Sequence, residues 1–98
     1  MGTISFNPFM VFCKSLEGQT LPTKGGRAEF ILLLVQNDHL YYKVVSTGKE
    51  RHSNRKWIER VLNHYALTGS LSPGDYVHVT TNASYTLTLM DLYLKRKS

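Results

Sequence analysis

A single cysteine, Cys13, stands in 98 residues. It excludes a disulfide framework and a cysteine-rich zinc site, and a lone thiol in an apolar stretch fits a reducing compartment. The longest apolar run, Phe30 to Val35, is far short of the roughly 20 residues that a membrane-spanning helix needs. The opening Met-Gly-Thr-Ile-Ser-Phe-Asn-Pro has no basic region before an apolar run, so no signal peptide is expected. Phe6 stands where a myristoylation signal requires Ser or Thr. Asn82-Ala83-Ser84 fits the glycosylation sequon, a three-residue pattern that chance supplies often. The expectation is a cytoplasmic chain with no membrane partner. Proline is scarce, at three residues, and hydrophobic residues make up 42%, which excludes a disordered tail and a collagen-like repeat.

Catalytic motifs are also lacking. The seven carboxylates, Glu17, Glu29, Asp38, Glu50, Glu59, Asp75 and Asp91, are scattered and form no acid-pair motif. His39, His52, His64 and His78 show no i, i+4 zinc-helix spacing. Ser46-Thr47-Gly48-Lys49 matches part of a phosphate loop, but Lys43 replaces its first glycine and Glu50 the hydroxyl residue that would hold magnesium. Cys13 sits on an apolar stretch without the neighbouring base that a nucleophile needs. The sequence therefore predicts no enzyme, no metal or cofactor, and no small-molecule substrate.

What is present is the patterning of one domain spanning 1–98. Asn7-Pro8 reads as a helix start, and Phe9, Phe12, Cys13 and Leu16 form one face of a helix over 8–17. Gly18 would close it in the left-handed conformation. Residues 19–27, with Pro22, Gly25 and Gly26, read as a loop. Residues 29–36 and 40–46 are rich in β-branched and aromatic residues and flank Asn37-Asp38, which predicts a β-hairpin. Residues 47–52 are polar. Trp57, Ile58, Val61, Leu62 and Tyr65 make a helical stripe over 54–67, with Ser53 as N-cap and Gly69 at the end. Ser70 to Asp75 reads as a turn, followed by a short strand up to Thr80. Residues 82–97 carry both an alternating pattern (Tyr85, Leu87, Leu89) and a helical one (Ala83, Leu87, Met90, Leu94). The segment is long for a strand, and a helix is expected.

The predicted fold is α+β, in the order α-β-β-α-(β)-α: a hairpin with an optional third strand packed against two or three helices. Its expected core is Phe9, Phe12, Leu16, Phe30, Leu32, Leu34, Val44, Trp57, Ile58, Val61, Leu62, Leu87 and Met90.

Twelve Lys and Arg against seven Asp and Glu give a net charge of +5, and the cations are clustered. Lys49, Arg51, Arg55, Lys56 and Arg60 stand close in sequence against only Glu50 and Glu59, with His52 and His64 flanking. On a helix Lys56, Arg60 and His64 share one row, a like-charge arrangement that costs about 0.2–0.5 kcal/mol per pair unless an anion relieves it. The predicted site is a phosphate-contact patch of these five cations, binding DNA or RNA in a salt-sensitive way. Arg27, beside Gly25-Gly26, and Lys95-Arg96-Lys97 would extend it. Tyr41-Tyr42 put one ring on each face of a strand, so one is available for stacking on bases. Trp57 is expected in the core. The competing expectation is a homodimeric protein-interaction module, such as a small accessory protein of an operon or mobile element.

Overall fold

A computed structural model describes residues 3–24, 28–80 and 82–96. Helix α1 covers Phe6–Lys14, strand β1 Thr20–Pro22, β2 Glu29–Gln36, β3 His39–Val44 and β4 Glu50–Ser53. Helix α2 covers Arg55–Thr68, a 3₁₀ turn Pro73–Tyr76, and helix α3 Ala83–Lys95. The four strands lie in chain order in one antiparallel sheet. Its inner face is covered by the helices, and α1, α2 and the 3₁₀ turn all touch α3.

The α+β class and the central hairpin are as the sequence predicts. Asn37 and Asp38 both have positive φ (54° and 63°), the backbone twist that joins two antiparallel strands through a two-residue turn. The segment 82–97 is helical over Ala83–Lys95. Its seven buried residues, among them Leu87, Leu89 and Met90, leave little of it facing solvent, which explains why its pattern satisfied two periods at once.

Several details differ. The chain has two strands more than the hairpin: β1 lies in the expected loop and β4 in the expected polar stretch. The optional strand before Thr80 does not form. Pro73 starts a 3₁₀ turn instead, Tyr76 is fully buried, and its hydroxyl donates to the Ser70 carbonyl at 2.6 Å. Helix α1 begins two residues earlier than expected, after Ser5, with Pro8 in its first turn, where no intrahelical N–H is lost. It also ends earlier, at Lys14, as the Ser15 hydroxyl bonds the Phe12 carbonyl. Asn54, not Ser53, caps α2: its side chain accepts from the Trp57 N–H at 3.2 Å. Gly69 ends that helix with φ 70°, as predicted.

The core also shifts. A β-bulge between Leu32 and Leu34 inserts one residue and reverses the in-out phase of the strand beyond it. Phe30, Leu32 and Val35 therefore point inward, while Leu33 and Leu34 are each 38% exposed. Leu34 is thus not core. Phe12, Leu16 and Trp57 are only half-buried. Tyr42, Leu40, Met10, Tyr76, Leu89 and Tyr93 join the core instead. Tyr93 locks α1 to α3 through edge-on contacts with Phe9 (5.9 Å) and Phe12 (5.5 Å). Cys13 is fully buried, and burial pushes its thiol pKa up, so it remains a packed, protonated thiol.

Candidate nucleic-acid interface

Among the described residues no helix lies over the outer face of the sheet, where Leu34, Gln36, Glu50 and His52 are exposed. Antiparallel pairing places directly opposed side chains on one face, so the register Tyr41↔His52 and Lys43↔Glu50 and Ile31↔Lys43 defines that surface. His39, Tyr41 and His52 form a cluster of three rings there. Centroids are 5.7 Å apart for His39–Tyr41, 5.8 Å for Tyr41–His52 and 5.8 Å for His39–His52, with interplanar angles of 17°, 27° and 33°. The His39 Nδ1 lies 2.7 Å from the Asn37 carbonyl oxygen, which fixes the ring beside the turn.

The neighbouring Tyr42 has the opposite fate. It points inward, is fully buried, stacks on Tyr85 at 4.5 Å and shares a hydrogen bond with the Ser53 hydroxyl at 3.2 Å. Burial pushes its pKa up to about 12. One ring of the tyrosine pair is thus core, and the other, Tyr41, is half-buried on the open face.

The five predicted cations are distributed around this sheet edge. Lys49 and Arg51 are exposed, Lys49 in the β3–β4 turn and Arg51 on β4. Gly48 has φ 70° and its N–H bonds the Val44 carbonyl at 2.8 Å, so this connection is tight and holds Lys49 at the end of β4. Arg55 opens α2, 3.4 Å from Asp38 and 3.4 Å from Glu59, with its guanidinium 4.4 Å from the Phe6 ring centre. Its charge is therefore shared with two carboxylates. Lys56 and Arg60 are exposed and lie over the Trp57 ring at 5.4 and 4.9 Å. His64, the third member of their row, packs edge-on against Tyr76 at 4.6 Å. Along the chain the five cations form one group. The fold separates them into an edge pair, Lys49 and Arg51, a tied Arg55, and a helix pair over Trp57.

Of the proposed extensions, Lys95 pairs with Asp91 at 3.1 Å and Arg96 covers the Tyr93 ring at 4.0 Å. Arg27 and Lys97 lie outside the described residues.

A second feature adjoins the ring cluster. A cleft of about 530 Å³ opens where β4 runs into α2, and His52, Asn54, Trp57, His78 and Asn82 line it. His52 belongs to both the ring cluster and the cleft wall. The cleft escaped sequence reasoning because its walls come from segments far apart in the chain. The signal within reach was Trp57, whose flanking cations Lys56 and Arg60 argue for a helix face that is not fully buried.

Among the described residues no three His, Cys, Asp or Glu side chains come together as a metal site, and no helix is long and apolar enough to cross a membrane. The sequence matches no protein-family model, no curated protein and no solved structure at a significant level.

Proposed function

We propose that this domain binds single-stranded nucleic acid across the open face of its sheet, as a non-enzymatic cytoplasmic protein. The observation that carries the reading is the His39–Tyr41–His52 ring cluster on the open face of the sheet, beside Lys43 of β3 and the exposed Lys49 of the β3–β4 turn, with Arg51 on the opposite face of the edge strand β4. Bases stack on such rings irrespective of sequence, and Lys and Arg beside them neutralise phosphates with release of counterions. Lys56, Arg60 and, through a shared charge, Arg55 continue the cationic border along α2. A duplex fits less well, because the stacking rings lie on the face of a sheet and not on a helix or two-stranded ribbon of the kind that enters a groove.

Titration of a labelled oligonucleotide at about 50 and 200 mM salt tests the reading. Single strands should bind in preference to duplex, with affinity falling at least tenfold between the two salt conditions. Equal affinity for both forms, or no salt dependence, would refute it.

A second reading, a homodimer through the same face, is favoured by one observation: Leu33 and Leu34 at the bulge are each 38% exposed. The β4 edge argues against pairing strand to strand, since Glu50-Arg51-His52 is short and charged, a pattern that blocks edge addition. Light scattering across a hundredfold range of protein concentration separates this reading from a monomer.

A further inference from the structure

We infer that the cleft between β4, the start of α2 and the segment before α3 is a nucleobase pocket, which takes one unstacked base of a bound strand. The inference rests on the single-strand reading above and assigns it a second subsite.

Its volume, about 530 Å³, lies within the range of roughly 300–1,000 Å³ usual for small-molecule sites. The walls define the ligand's chemistry. Trp57 supplies a broad indole, and His52 and His78 supply imidazoles, so a flat heteroaromatic ring is matched by flat partners. The described lining contains neither a carboxylate nor an ammonium or guanidinium group, so nothing there selects a cation. It does contain amide groups with hydrogen-bonding capacity to spare. Asn54 uses its side-chain oxygen on the backbone N–H of Trp57, which leaves its NH₂ for a ligand. Asn82 occupies the cap position of α3, yet its side chain does not cap the helix. A carboxamide offers both a donor and an acceptor, the complement of a base edge. The anionic end of a nucleotide has its own partners outside the walls: Lys56 and Arg60 stand over Trp57.

The cleft is also continuous with the stacking surface, because His52 forms part of both. A strand crossing the sheet toward the β4 edge would carry its next base to the cleft mouth.

Trp57 is the protein's single tryptophan, so all indole emission comes from the cleft wall and the Lys56 and Arg60 side chains over it. The experiment follows a fluorescein-labelled single strand of about a dozen nucleotides by anisotropy. Trp57 emission is followed separately with the unlabelled strand, with the four ribonucleoside 5′-monophosphates, and with ribose 5-phosphate. The strand and at least one mononucleotide should quench Trp57, while ribose 5-phosphate, which has the anion without the ring, should not. The double variant His78→Ala/Asn82→Ala, at an exposed ring and a side chain that does not cap its helix, should stay folded and bind the strand about fivefold or more weakly. A strand that binds with Trp57 emission unchanged, or a double variant with unaltered affinity, overturns the base pocket and leaves the sheet-face reading standing. Mononucleotide quenching without strand binding leaves a base pocket but overturns the sheet-face reading and, with it, the pocket's place on a bound strand. Quenching by ribose 5-phosphate equal to that of the nucleotides overturns the pocket in favour of a plain anion site.

Discussion

The carboxylate of Glu17 accepts the backbone N–H of Val35 at 2.7 Å. From the same turn, Lys14 donates its ammonium to the Val35 carbonyl at 3.3 Å and pairs with Glu17 at 3.3 Å. Strand β1 pairs with β2 only as far as Ile31, with two further backbone bonds at Leu32. Beyond that point two side chains, one from the end of α1 and one from the turn after it, take over the role of a strand, and they do so just after the bulge that reverses the phase of β2.

This contact predicts an acid-sensitive bulge. The Val35 N–H, and secondarily Lys14, hold the Glu17 pKa below the ordinary carboxylate value. A depressed folded-state pKa stabilises the fold above the unfolded value and loses that contribution as pH falls through the folded one. Glu17→Ala should lower the urea midpoint at neutral pH, and Glu17→Gln, which keeps an acceptor, should lower it less. Both variants should converge on the parent protein at acid pH, where Glu17 is itself protonated. A constant gap at all pH values would rule this out.

Tyr41 and Tyr42 should separate function from stability. Tyr41→Ala removes a half-buried ring from the open face and should weaken single-strand binding by about 1–3 kcal/mol. Its effect on stability should be limited to the cross-strand contacts, at about 0.2–1 kcal/mol. Tyr42→Ala removes a fully buried aromatic and should cost about 3–5 kcal/mol of stability. Thermal melts alongside anisotropy titrations check both.

Lys56→Ala/Arg60→Ala should leave folding within about 0.5 kcal/mol of the parent, because both side chains are exposed. If both cations meet phosphates, the double variant should reduce the slope of log affinity against log salt by about 2. An unfolded double variant would mean that their cover over Trp57 is structural.

The buried Tyr42 hydroxyl gives an alkaline prediction. Burial raises its pKa from 10 to about 12, a preference for the neutral form of about 3 kcal/mol. Because the folded-state pKa is raised, this stabilisation is complete below pH 10 and disappears as pH rises toward 12. Burial raises the Tyr76 hydroxyl as well, so tyrosinate absorbance followed together with circular dichroism should show a late step to which both buried tyrosines contribute. Tyr42→Phe should remove one tyrosine's share of that late step.

The parts of the fold legible in the sequence were those whose own residues determine them. Asn37-Asp38 between two apolar runs fixes the hairpin, and the Trp57-to-Tyr65 stripe fixes α2. Strands β1 and β4 were not legible because Thr-Leu-Pro and Glu-Arg-His-Ser carry no strand pattern. They are strands because β2 and β3 offer them edges. The inward assignment of Leu34 assumed unbroken alternation, which the bulge ends. The site divides in the same way. The cations and the two-faced tyrosine pair were readable along the chain, whereas the juxtaposition of His39 with His52, and of His52 with His78, exists only after β4 has paired.

The clasp of Tyr93 on Phe9 and Phe12 has a consequence for the order in which the protein is made. Strands β1 to β4 are neighbours in the chain, so each can zip onto the one before it as it leaves the ribosome. The aromatic face of α1 is synthesised first, yet its α3 partner comes last. The nascent chain therefore carries Phe9 and Phe12 without Tyr93 until α3 emerges, and a ribosome stalled before that helix would display an apolar α1 face suited to capture by a chaperone.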